Sequence, residues 1–169
     1  MGRSSLARLT VLMCLALLAT PGLAKTIKVT ATQPVAIVDI PDTWKVLDTK
    51  RGFRVKSPDE EVFFWIETFT PDQRAGVVAE HESYFTQQGV RITGDPEVST
   101  KDDRTVSMKS THVPATWKGK PTVLRYLLID LHLPSQTQIL LSYWASPEGD
   151  EEHDAAMDKI IASFTPLAQ

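Results

Sequence analysis

Four histidines, one cysteine, scattered serines and two short acidic runs are the side chains from which this chain of 169 residues can build chemistry. A helical zinc site needs ligands at fixed spacing, and no two of His81, His112, His132 and His153 stand four residues apart. The cysteine, Cys14, lies inside an apolar leader. One composite metal site is conceivable, Asp130 and His132 on one strand face joined by Glu67, but a solvated or salt-bridged strand face explains the same residues. Nucleophilic catalysis needs a serine or cysteine held beside a base. The sequence contains neither G-x-S-x-G nor S-x-x-K, and Ser142, between Leu141 and Tyr143, reads as a packed strand residue. Asp59-Glu60-Glu61 and Asp150-Glu151-Glu152 read as a turn and a helix start rather than an acid–base pair. The eight glycines are scattered and form no phosphate loop. The residues therefore point to a protein that is not an enzyme, with no catalytic residue, no metal ligand and no cofactor.

Binding chemistry is better represented. Of four tryptophans, Trp65 and Trp144 fall in strongly apolar strands and Trp44 follows the Pro41 turn as a structural plug. Trp117 stands at a hairpin corner between Thr116 and Lys118. It is either a contact residue flanked by Lys118 and Lys120 or an indole folded back over the sheet edge. Arg125 shares the strand parity of Val123 and Leu127, which calls for a partly open face or an acidic partner such as Glu67. Trp117, Lys118 and Arg125 are thus the candidate binding residues.

The elements that must position these groups are organised around residues 121–145. Val123, Leu127, Ile129 and Leu131 share one parity and Leu124, Tyr126 and Leu128 the other, followed after a Pro134–Ser135 turn by Ile139 to Trp144. Apolar residues at both parities require a sheet covered on both faces. Val62 to Phe69 has the same character and belongs beside this hairpin; Val35–Ile40, Trp44–Leu47 and Phe53–Lys56 are further strands. Thr26–Thr32 reads as an edge strand or arm, Val90–Ile92 as a short return strand, Gly94–Glu97 as a loop, and Thr105–Val113 as a strand near an edge. Thr70, Pro71 and Gln73 make a capping box opening a helix whose stripe is Val77, Val78, His81, Tyr84 and Phe85, stopped by Gly89. A second helix starts between Pro147 and Asp150 and ends near Phe164. The expectation is an α+β fold: an antiparallel sheet of about six or seven strands covered by the two helices.

Residues 1–24 read as a signal peptide: Arg3 and Arg8, an apolar run from Leu9 to Ala19, then Gly22-Leu23-Ala24 before the cleavage point. The run is shorter than the twenty or so residues that cross a bilayer, so no stable span is expected after cleavage. Residues 25–169 then form one domain, exported and periplasmic or secreted, without a disulfide. The net charge of −3 falls to −5 once Arg3 and Arg8 leave, and an acidic domain without a basic stripe is a poor partner for nucleic acid.

Ile40-Pro41-Asp42-Thr43-Trp44, the Ser57-Pro58-Asp59 turn, the long hairpin and Ser163-Phe164 closing the last helix together resemble the PsbP-like superfamily. That superfamily includes the extrinsic P subunit of photosystem II, DcrB-type bacterial envelope proteins and a Ran-binding import factor. The resemblance runs from about Val35 to Phe164 and implies an α/β/α sandwich with an accessory or binding role and no catalysis. It names no partner, which is expected to be an envelope protein or a small ligand. The alternative expectation is a periplasmic carrier, holding a small apolar ligand in a sheet–helix pocket lined by Phe63, Trp65, Val78 and Phe85.

Overall fold

The computed structural model describes residues 23–30, 33–102 and 106–167. The expected leader as far as residue 22, Cys14 with it, lies outside the described residues, as does Thr105. In chain order the elements are β1 (Ala24–Val29), β2 (Ala36–Pro41), β3 (Lys45–Asp48), β4 (Gly52–Lys56), β5 (Val62–Phe69), α1 (Arg74–Gln87), β6 (Val90–Ile92) and β7 (Glu97–Asp102). They continue with β8 (Ser107–Trp117), β9 (Lys120–Asp130), β10 (Gln138–Ala145), α2 (Pro147–Ala162) and β11 (Thr165–Pro166).

The strands form two antiparallel sheets. The larger runs β3-β4-β5-β10-β9-β8-β6, with β7 also paired to β8; the smaller is β1-β2-β11. The central hairpin is where the apolar run placed it: β9 and β10 pair from Val123 opposite Ala145 to Asp130 opposite Gln138, and β5 lies against the other side of β10. Alternation then sorts the side chains. Phe53, Val55, Phe64, Ile66, Ile129, Ile139 and Leu141 face α2 and the small sheet, where Met157, Ile160, Val38 and Ile40 complete one core. Trp65, Leu124 and Val113 face α1 and its Phe85, while Phe69 and Leu140 meet Val77 nearby. Burying a side chain such as Phe64 or Ile139 contributes roughly 1.5–3 kcal/mol, so both helices are held by what they cover.

Three details differ from expectation. The expected antiparallel sheet is present with eight strands, one of them, β7, following the expected Gly94–Glu97 loop where no strand was read. All six residues of β7 are exposed, so no apolar alternation marks it; its pairing with β8 holds it. The strand expected near an edge over residues 105–113 does lie next to the edge, with the short β6 and β7 outside it, but it runs on to Trp117. Helix α1 begins at Arg74, later than the capping box implied. Half of the box forms, with the Thr70 N–H donating to Gln73 Oε1, but the Thr70 hydroxyl donates to Asp72 and leaves residues 71–73 as a turn.

Two local devices set the corner that carries Trp117. Gly89 stops α1 with φ +88°, and the β8–β9 connection has φ +51° at Lys118 and φ +78° at Gly119. Two successive positive φ values are what a two-residue hairpin turn of type I′ requires.

Candidate functional site

Two polar or aromatic assemblies stand out, both on the α1 side of the large sheet. The first joins three residues that look isolated in sequence. Glu67 lies on β5, Ser142 on β10 and His81 mid-way along α1, and the β5–β10 register sets Glu67 opposite Leu140 and Ser142 opposite Trp65. His81 Nδ1 is 2.7 Å from Ser142 Oγ, and His81 Nε2 is 3.2 Å from Glu67 Oε2. With the ring proton on Nε2, histidine donates to Glu67 and accepts from the Ser142 hydroxyl, which leaves no polar atom of the trio without a partner. Glu67 also accepts from Thr49 at 2.7 Å and from Arg51 at 3.0 and 2.8 Å, and Arg51 reaches outward to Glu80 at 2.5 Å. Burial alone would raise the Glu67 carboxyl, but hydrogen bonds from His81 and Thr49 and the charge of Arg51 outweigh it and hold the pKa at about 2.

A serine, a histidine and a carboxylate in a row invite comparison with a hydrolytic triad. Access decides against it. Ser142 is 0% exposed, with His81 and Glu67 at 5% each, and Trp65 stacks on the imidazole at 4.9 Å. The order is also inverted, since serine holds Nδ1 and the acid holds Nε2. The trio is a fully satisfied buried network tying α1 to the two central strands. Sequence reasoning missed it as a unit; the available signal was polarity at three positions whose neighbours of the same parity or stripe are apolar.

The second assembly is an open groove of about 800 Å³ across the strand ends beyond the C-terminus of α1. The helix stops before the sheet does, so aromatic residues that would be core under a longer helix form the floor. Phe63 and Trp144 lie side by side on paired strands, Tyr84 forms the wall on α1, and Trp117 closes the far side. Trp117 meets Trp144 edge-on at 5.5 Å, donates its indole N–H to the Gln88 carbonyl at 2.9 Å, and is 37% exposed. Lys45, Arg54 and Lys56 line the groove from β3 and β4, and Lys120 lines it from β9.

The structure separates the candidates named from sequence. Trp117 folds back over the sheet edge and also borders the groove, so both readings of it hold in part. The Lys118 ammonium lies 4.2 Å from the Trp117 ring centre. Arg125 is on the opposite, α2, face and pairs with Asp150 at 2.6 Å; the suggested partner Glu67 belongs to Arg51 and His81 instead. Asp130 and His132 are not joined by Glu67: Asp130 accepts from the His132 backbone N–H, and the His132 ring meets Ser107 Oγ at 2.9 Å. His153 contacts Asp59 at 2.8 Å, and the Ser57 hydroxyl followed by His153 holds the Asp59 carboxyl down at about 2. Among the described residues no three His, Cys, Asp or Glu side chains gather as a metal site. The sheet–helix pocket lined by Phe63, Trp65, Val78 and Phe85 is corrected as well. Trp65 and Phe85 are 7% and 2% exposed with ring centres 5.5 Å apart, so these side chains fill the space instead of framing it.

No protein-family model matches the chain, and no curated protein matches its sequence. Solved structures do. The solution structure of cyanobacterial PsbP from Synechocystis is similar with a TM-score of 0.57 at 10% identity, covering 87% of this chain and 95% of that one. The Ran-binding protein Mog1p of Saccharomyces cerevisiae follows at 0.48 and 9% identity over 85% and 96% of the two chains. A Pseudomonas aeruginosa protein of unknown function follows at 0.43 and 13% over 88% and 100%. The likeness to cyanobacterial PsbP shows the fold: an α+β sandwich of PsbP type.

Proposed function

On a PsbP-type fold with its serine sealed in the core, we propose that this chain is an exported, non-enzymatic accessory protein of the bacterial envelope that acts by binding another protein. The observation that carries the reading is the uncovered strip of the large sheet, where Phe63, Trp144 and Trp117 border a groove that no element of the described chain fills. A core aromatic left open to solvent loses burial free energy unless a partner supplies the cover. The absence of catalysis is argued from Ser142, whose oxygen no substrate can reach at 0% exposure. Export rests on the leader expected over residues 1–24 from the sequence.

A photo-crosslinking residue placed at Trp117 or Leu47 in cells tests the binding role, with the exposed Val98 on β7, outside the groove, as the control position. A discrete protein adduct from the groove positions alone is expected. No adduct, or the same adducts from Val98, overturns the reading. Intact-mass measurement of the native protein tests export, with a chain beginning at Lys25 as the expected result and a full-length species as the refuting one. Turnover in a hydrolase panel that survives purification and disappears in Ser142→Ala would overturn the non-enzymatic assignment.

A further inference from the structure

We infer that the groove receives an extended acidic protein segment that carries an aromatic anchor; this deepens the binding role proposed above and rests on it. The dimensions favour a peptide of several residues. The groove is lined from β3 through β4, β5, β10 and β9 to β8, which are consecutive neighbours in the large sheet. Six strands spaced about 4.8 Å apart span about 24 Å, which an extended chain crosses in about seven residues.

The charges set the polarity of that peptide. Lys45 and Arg54 project from adjacent strands, where Leu47 is opposite Arg54 and Lys45 opposite Lys56. Among the described residues neither Lys45, Arg54 nor Lys120 has a carboxylate partner, whereas Lys56 is paired with Glu60 at 3.3 Å. The other acids of the lining, Glu61 and Glu148, come from just before β5 and the first turn of α2, outside the β3–β4 pair that carries Lys45 and Arg54. A chain of net charge −3 therefore gathers unmatched cations at the β3–β4 end of an aromatic groove. The complementary ligand places carboxylates toward Lys45 and Arg54 and a ring over Phe63 and Trp144.

The rings themselves favour this occupant over a glycan. A sugar-binding platform offers an open aromatic face, but Lys118 already lies over the Trp117 ring at 4.2 Å. Trp117 and Trp144 stand at 80° to each other, and Phe63 and Trp65 at 82°. Edge-on clusters of this kind extend readily to one more aromatic ring.

Selection of a displayed random heptapeptide library on the purified protein tests the inference. Enriched sequences are expected to carry an aromatic residue with Asp or Glu within three positions. Fluorescence anisotropy of a selected peptide should show affinity falling with salt and at least tenfold weaker binding to Arg54→Glu and to Lys45→Glu. Both positions are exposed, and unchanged thermal melting verifies that the variants fold. Trp117→Ala should weaken the same peptide. Enrichment of basic or uncharged peptides that compete for the groove overturns the charge complementarity while leaving the binding role intact. Failure to enrich any peptide, combined with binding of N-acetylglucosamine oligomers lost in Trp117→Ala, overturns the peptide in favour of a glycan. No enrichment and no groove crosslink removes both the inference and the binding role.

Discussion

Replacing Glu67 by glutamine isolates the contribution of the buried network. The carboxylate receives four hydrogen bonds, one from Thr49, two from Arg51 and one from His81, at 2.7 to 3.2 Å. Hydrogen bonds to a charged group contribute about 1.5–3 kcal/mol and neutral ones about 0.5–1.5 kcal/mol. The amide keeps one acceptor oxygen of the same shape, so the variant loses charge assistance rather than all contact. With two of the bonds from one guanidinium, a loss of roughly 2–3 kcal/mol at pH 7 is expected. The pH dependence supplies a sharper test. The folded Glu67 has its pKa lowered to about 2, against about 4.3 in an unfolded chain. A depressed folded pKa gives stability that is fully present above about pH 4.5 and lost as the pH falls through about 2. Urea midpoints of the parent and Glu67→Gln should therefore differ most at pH 7 and converge between pH 4.5 and pH 2.5. A gap of constant size across that window would refute the argument, because the carboxylate would then not be what distinguishes the two proteins.

Other perturbations follow from packing. Gly52→Ala should cost several kcal/mol or prevent folding, since an added Cβ would stand 2.0 Å from the Ile66 carbonyl oxygen and break the β4–β5 pairing; near-parental melting would show that β4 is misplaced. Trp144→Ala should lose about 3 kcal/mol by truncation of a largely packed indole, whereas Trp117→Ala should lose about 1–2 kcal/mol, one hydrogen bond and one ring contact; equal urea midpoints would contradict that order. Arg125→Ala should change stability by less than about 1 kcal/mol, because its pair with Asp150 is a surface one with the arginine side chain 41% exposed. A larger loss by thermal melting would mean that Arg125 does more than pair with Asp150.

The strands that make the core were legible because burial on both faces leaves a local trace. Val62–Phe69 and residues 121–145 are apolar at both parities, and that alone requires cover from both sides. Helix ends were legible where a single residue decides them, as at Gly89, and misread where hydroxyl partners compete, as at Thr70. Strand β7 leaves no such trace, since its six exposed residues are held by backbone pairing to β8, a contact between segments that carries no side-chain pattern. The same distinction governs the sites. Glu67, His81 and Ser142 were visible as polar residues at apolar positions, but their meeting depends on which strands are neighbours and where α1 docks. Arg125 was seen to need an acid, and only the packing of α2 selects Asp150 over Glu67. The groove exists because α1 ends before the sheet does, a difference in length between two elements packed face to face. Sequence determines what each element must bury; the tertiary arrangement decides what is left uncovered, because exposure belongs to the assembled layers and not to any one of them.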